Sequence, residues 1–318
     1  MNEREKFESM ASLKNKPETE ADNIATRLKN NVKKLRHTIL TGPPGTGKSR
    51  TLNNLINQLK SEDSIGTVET VQFHPQYSYQ DFIEGFTVKS GVFDYKKGIF
   101  LEFLDRCDDN KLNIFIIDEF NRADVSSVFG ELLGLLDYED GKTITLPNSR
   151  REISLGKNTL ILGTMNSADK NIALMDFALR RRFSFLFTPP DYDGLTKWIN
   201  SIGLELPEFQ VNDYVNAIKV LNHRIIRHPL LGKNMTLGQS FFVPKTSNNS
   251  TIKSDDIFSI FSEMVVPQLE TYVGHGNNNE LAQILSPSIA DKLKIGEPVT
   301  PQDVTELLNL LSRSKENF

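Results

Sequence analysis

The stretch Gly42-Pro43-Pro44-Gly45-Thr46-Gly47-Lys48-Ser49 fits the phosphate-cradling pattern G-x-x-x-x-G-K-[S/T], and its reading decides the fold. Each fixed position has a physical duty. The glycines let backbone N–H groups close on phosphate oxygens, Lys48 reaches the same oxygens, and the Ser49 hydroxyl reaches the magnesium ion that accompanies them. The flanks agree with the loop. His37 to Thr41 is a short run that reads as a strand, and Leu52, Leu55, Ile56 and Leu59 follow at helical spacing. The loop therefore joins a strand to a helix whose first N–H groups are unpaired and whose dipole favours an anion. Gly42 to Ser49 and the adjoining Arg50 are the candidate nucleotide-binding residues.

Working outward, Leu112-Asn113-Ile114-Phe115-Ile116-Ile117-Asp118-Glu119 is an apolar run ending in two carboxylates. Such a run predicts a buried parallel strand whose C-terminal end opens into a site. In a nucleotide hydrolase Asp118 holds magnesium through its water shell, and Glu119 orients and deprotonates the attacking water. Asn158 to Asn166 is a second buried strand with a polar end, and Asn166 is placed to hydrogen-bond the attacking water or the terminal phosphate. Arg180, Arg181 and Arg182 close an amphipathic helix shortly afterwards. A cluster there can simply face solvent at the negative end of the helix. Following the Asn-ending strand of a phosphate-loop domain, it reads better as an arginine source for a neighbouring subunit's nucleotide, an effect worth roughly a thousandfold or more in rate.

The remaining signals set the organisation. The chain has 318 residues with 38% hydrophobic and 25% charged content and a net charge of -4, so it is an ordinary folded protein in which overall charge does not hold nucleic acid. The first thirty residues are charged and no window approaches eighteen apolar residues, so neither a signal peptide nor a spanning helix is expected. Cys107 stands alone, excluding an intramolecular disulfide and a cysteine zinc site and fitting a reducing cytoplasm. Residues 1–22 read as a flexible tail, 23–190 as the nucleotide-binding core and 191–318 as a helical domain, with Pro189-Pro190 as the boundary. Thr67 to Phe73 is a further strand, Ile99 to Asp105 a short helix, and Val125 to Leu136 a longer one. The aromatic-rich segment Phe73 to Phe86 reads as a packed loop. Two alternating runs around Pro147-Asn148-Ser149-Arg150-Arg151 predict a projecting hairpin, whose arginines touch a partner or nucleic acid, or form a solvated turn.

The order of phosphate loop, Asp-Glu strand, Asn-ending strand, arginine cluster and helical lid resembles the AAA+ superfamily, implying an α/β, three-layer parallel-sheet core with a C-terminal α-helical lid. Within it, Phe73-His74-Pro75-Gln76-Tyr77-Ser78-Tyr79-Gln80-Asp81-Phe82-Ile83-Glu84-Gly85 is similar to the aromatic loop of the McrB family. So are Asp118-Glu119-Phe120-Asn121-Arg122-Ala123, Met165-Asn166-Ser167-Ala168-Asp169-Lys170, and, in the lid, Leu237-Gly238-Gln239-Ser240-Phe241-Phe242 and Val266-Pro267-Gln268-Leu269-Glu270. The resemblance implies a GTP-hydrolysing motor that uses Mg2+, works as a homo-oligomeric ring, a hexamer, and drives DNA restriction with a separate McrC-like endonuclease subunit. It implies that Asn166 and Asp169 position the hydrolytic water and that Arg181 and Arg182 are the interfacial residues. Lys170 stands where the family often has arginine, and the roughly thirty-five residues before the core do not read as the DNA-reading domain that members commonly carry, so DNA is expected to be met through a partner. Two other readings share the generic motifs: an ATP-using remodelling chaperone of the MoxR kind, and a non-hydrolysing scaffold that binds nucleotide only to assemble.

Overall fold

Alternation along the buried strands builds the core. Ile114 and Ile116 point to one face of the sheet with Leu160, Leu162 and Leu40, while Phe115 and Ile117 point to the other with Ile161 and Ile39. Both faces therefore need cover, which is the condition for a parallel sheet between two helical layers. The computed structural model describes residues 20–89, 91–137, 142–169, 177–206, 209–244 and 251–314. In chain order the core contains α1 (Glu20–Lys33), β1 (Thr38–Gly42), α2 (Lys48–Ser61), β2 (Ile65–Gln72), α3 (Tyr79–Phe82), β3 (Glu84–Lys89), β4 (Val92–Lys97), α4 (Ile99–Leu104), β5 (Leu112–Asp118), α5 (Val125–Phe129), β6 (Thr143–Thr145), β7 (Glu152–Ser154), β8 (Thr159–Asn166), α6 (Phe177–Arg180) and β9 (Ser184–Phe187). The central sheet has the order β2-β5-β8-β1-β9, and every pairing in it is parallel. All its C-terminal ends consequently lie on one side, with Gly42 opposite Asn166 and Gln72 opposite Asp118.

One face is covered by α1 and α2 through Ile24, Leu28, Val32, Leu52, Leu55 and Ile56. The other is covered by an aromatic cluster centred on Phe82, whose ring lies 5.1 Å from Phe100, 5.6 Å from Phe115 and 4.9 Å from Phe129. Phe73, 5.7 Å away and edge-on, belongs to the same cluster. Such pairs add about 0.5–1.5 kcal/mol each beyond area burial. Phe73, Phe82 and Ile83 of the aromatic-rich segment are thus core, with Tyr77 and Tyr79 packed against them, while Phe86 is exposed.

The structure refines the sequence reading at four places. Residues 1–19 of the expected tail lie outside the described residues, but α1 begins at Glu20, so residues 20–22 are helical. The expected helix Val125 to Leu136 is α only to Phe129; Gly130, at φ 49, breaks it, and tighter 3-10 turns run from Gly130 to Leu136. Glu84 to Lys97 forms an antiparallel hairpin, β3–β4, which the sequence reading passed over. Finally, the turn of the β6–β7 hairpin does not stand free. Glu84, fully buried, accepts hydrogen bonds from the Asn148 N–H at 2.8 Å, the Ser149 N–H at 3.2 Å and the Tyr95 hydroxyl at 3.1 Å. Arg151 pairs with Asp105 at 2.5 Å, which commits it within the subunit. Glu84→Ala removes a buried charged acceptor shared by three hydrogen bonds and is expected to cost on the order of 1–3 kcal/mol, read as a lowered melting temperature.

After Pro189-Pro190 the second domain is built of α7 (Tyr192–Ile202), α8 (Val211–Arg227), α9 (Ser254–Ser259), α10 (Val266–Val273), α11 (Asn278–Ile284), α12 (Pro287–Ile295) and α13 (Pro301–Ser312). Its own core gathers Tyr214, Leu221, Phe242, Phe261, Leu269 and Leu308. Between α9 and α10 the chain widens into a π-type segment, Ile260–Val265, which accommodates Pro267 and its missing N–H. The start of α13 is fixed by a reciprocal cap, as its Thr-Pro-Gln-Asp sequence predicts: the Thr300 side chain accepts from the Asp303 N–H, and Asp303 accepts the Thr300 N–H at 2.7 Å. Among the described residues no helix is long and apolar enough to cross a membrane.

Candidate nucleotide-hydrolysis site

The phosphate loop leaves β1 at Gly42 and enters α2 at Lys48, as the motif demands. Gly45 and Gly47 take φ of 79 and 82, a left-handed backbone that glycine adopts without a Cβ penalty. Lys48 lies against the loop, its Nζ donating to Gly42 O at 2.9 Å and Pro43 O at 2.7 Å. Burial pushes its ammonium down to about 8, against the attraction of Glu119, Asp118 and Asp169. The site therefore faces one lysine with three carboxylates, a balance that a bound polyphosphate competes for.

Those carboxylates come from two neighbouring strand ends. Asp118 closes β5; its Oδ1 accepts from the Ser49 hydroxyl at 3.2 Å and also from the Thr164 hydroxyl of β8. Ser49 and Asp118 are hard oxygen donors held together at the mouth of the loop, which suits magnesium. Among the described residues no group of three or more His, Cys, Asp or Glu side chains is arranged to hold a metal, so phosphate and water oxygens would complete the shell.

Glu119 sits at φ 55, a left-handed conformation uncommon outside glycine. Its Oε2 is buried without a hydrogen bond. Arg122 Nε approaches that oxygen at 3.3 Å as an ion pair, without hydrogen-bond alignment, and lies 3.8 Å from Asp169 Oδ2. A strained carboxylate with a poorly satisfied oxygen, beside the metal-ligand pair, has the character of a general base.

Asn166 ends β8 next to Gly42, and the Ser167 N–H donates to Gly42 O at 2.9 Å. The Asn166 amide spans the turn: Oδ1 accepts from the Ala168 N–H at 3.1 Å and Nδ2 donates to Asp169 Oδ1 at 3.4 Å. Asn121 donates to the Asn166 carbonyl at 3.3 Å and so ties this turn to the segment after Glu119. Lys170 lies outside the described residues, as does most of the amphipathic segment before the arginines. Thr164, Asn121 and Arg122 had no assigned part in the sequence reading, although Asn121 and Arg122 fall within a motif it quoted.

The arginine pair divides. Arg182 is 8% exposed and donates from Nε at 3.0 Å and Nη2 at 2.9 Å to the two carboxylate oxygens of Asp137. That fork holds the Asp137 carboxyl below its usual range, chiefly through the Arg182 hydrogen bonds. Within the subunit, Arg182 is therefore held in a buried pair with Asp137. Arg181, at 66% side-chain exposure and 3.8 Å from Asp137, remains at the surface, and Arg50 and Arg180 are exposed too.

The second domain closes on the site. The Gly238 N–H donates to Pro44 O at 3.0 Å, the Ser167 hydroxyl donates to Asn234 O at 3.0 Å, and Tyr272 is pushed up to about 12 by burial and by the Asp169 charge.

Residues 37–183 match the AAA domain of the dynein-related subfamily, and residues 213–279 match the alpha-helical lid domain of McrB. The Type IV methyl-directed restriction enzyme EcoKMcrB subunit of Escherichia coli (strain K12) is 35% identical over 268 residues, covering 80% of this chain and 57% of that protein. The Type II restriction enzyme BsuMI component YdiS of Bacillus subtilis (strain 168) is 30% identical over 193 residues, covering 47% of this chain and 56% of that protein. The chain thus spans less than two thirds of either relative. With the AAA domain and the McrB lid following one another in the order and at the places where the sheet and the helical domain lie, this is an McrB-like AAA+ protein.

Proposed function

We propose that this chain is the nucleotide-hydrolysing motor subunit of an McrBC-type restriction system, acting in defence against foreign DNA, with GTP as the favoured substrate and ATP as the alternative. The observation that carries the reading is the convergence of Lys48, Ser49, Asp118, Glu119 and Asn166 at one edge of the sheet, beneath a lid of the McrB type. The loop amides and Lys48 hold the phosphates, Ser49 and Asp118 hold the metal, Glu119 takes a proton from the attacking water, and Asn166 with Asp169 orients it. Bound there, magnesium would be held by Ser49 and Asp118 and would offset phosphate charge. Arg181 completes the site from the next subunit of a homo-oligomeric ring, a hexamer, and the McrB resemblance supplies the McrC-like nuclease partner that meets DNA with it.

Hydrolysis measured with GTP and with ATP, each with and without an McrC-like partner, tests this. The expected result is GTP turnover raised at least about tenfold by the partner. Turnover confined to ATP and indifferent to such a partner would favour a chaperone of the MoxR kind, and no turnover under any condition would favour a scaffold.

A further inference from the structure

The outer side of the phosphate loop is held by three consecutive hydrogen bonds from the lid. Gly238 N–H donates to Pro44 O at 3.0 Å, Ser240 N–H to Gly45 O at 3.1 Å, and the Gln239 side-chain Nε2 to Thr46 O at 3.1 Å. In a planar trans peptide the carbonyl and the N–H of the next residue point in opposite directions. Fixing the carbonyls of Pro44, Gly45 and Thr46 towards the lid therefore directs the N–H groups of Gly45, Thr46 and Gly47 to the other side, where phosphate is cradled. Among the described residues none of those three donors is taken by another protein group. Peptides flanked by glycine rotate easily, so holding three amides in one direction removes an ordering cost otherwise met on binding.

The lid segment is itself anchored. Asn222, fully buried on α8, accepts from the Leu237 N–H at 2.8 Å and donates to Leu237 O and to the Tyr192 hydroxyl, both at 2.9 Å. Gln239 Oε1 accepts from the Asp191 N–H at 3.0 Å, so a single amide spans the phosphate loop and the junction after Pro189-Pro190. Gly238 shows how close the approach is: a Cβ there would meet Gly45 C at 2.1 Å and Thr46 N at 2.4 Å. Its own backbone, φ −70 and ψ 161, is open to any residue, so contact and not conformation demands the glycine.

We propose that Gly238-Gln239-Ser240 is a positioning element for the phosphate-binding amides: the lid presets the cradle by gripping the loop's carbonyls, and Gln239 is its side-chain member. It rests on the reading of the loop as a nucleotide site, and it differs from a lid residue that reaches the phosphates.

The test uses the full chain, with Mg2+ and fluorescent N-methylanthraniloyl GTP and ATP titrated against wild type, Gly238→Ala, Gln239→Met and Gln239→Glu, and with melting followed without nucleotide. Gly238→Ala is expected to raise the Kd of the preferred nucleotide about tenfold or more. Gln239→Met and Gln239→Glu should each raise it about five- to tenfold, because both lose the donor to Thr46 O while Gln239→Glu keeps the acceptor for Asp191. In turnover the loss should appear in KM more than in kcat. Wild-type affinity in Gly238→Ala overturns the proposal. So does wild-type affinity in Gln239→Glu beside weak binding by Gln239→Met, which would place the effect at the junction, or a fall in melting temperature without any change in Kd. A wild-type chain that binds neither nucleotide overturns the site reading along with this one, so the two failures are distinguishable.

Discussion

Glu119→Gln is expected to bind nucleotide and assemble as the wild type does, while turnover falls by about a hundred- to ten-thousandfold. The substitution keeps the shape of the side chain and can keep the left-handed backbone at φ 55, so the loss isolates the proton acceptor. It also removes the charge facing Arg122, and Asp169, 3.8 Å from that guanidinium, is the carboxylate that stays beside it. Nucleotide binding measured alongside single-turnover hydrolysis separates the two effects. Normal hydrolysis by this variant in a preparation free of other nucleotidases would sink the assignment of Glu119.

Arg181→Ala is the second large effect. An arginine offered across an interface is worth about 10³–10⁵ in rate, so the homogeneous variant should bind nucleotide and scarcely hydrolyse it. Mixed with Lys48→Ala subunits, it should recover part of the activity, because some interfaces then combine an intact loop with an intact arginine. Turnover by a purely monomeric species, or unaltered turnover in Arg181→Ala, would contradict the shared site. Arg182→Ala should behave differently. With its guanidinium buried against Asp137, its removal leaves a carboxylate without its fork, and a lowered melting temperature accompanies any loss of rate.

Residues whose duty is written in local spacing were legible. Gly42 to Ser49 with the helix behind it, and the apolar runs that end in Asp118 and Asn166, needed only their neighbours along the chain to be placed at strand ends. The division of the arginines was not legible, because Asp137, which takes Arg182, lies 45 residues away in sequence, and no local pattern marks that pairing. Gln239 was quoted only as part of a resemblance; its partners Thr46 and Asp191 meet it only once the lid has folded back. The β3–β4 hairpin is a different case. Phe86, Val88, Phe93 and Tyr95 alternate around Ser90-Gly91, a signal present in the sequence but overshadowed by the aromatic segment before it.

Glu84 gives the two hairpins a common fulcrum. Its carboxylate holds the Asn148–Ser149 turn, its backbone starts β3, and the preceding residue, Ile83, accepts the Gly98 N–H at 2.6 Å where β4 runs into α4. The hairpin that exposes Phe93 is thus rooted beside Phe82, which is seated against Phe115 in the strand that carries Asp118. Between the outer hairpin and the strand end at Asp118 stand the Glu84 carboxylate, the backbone at Ile83 and the Phe82–Phe115 ring contact.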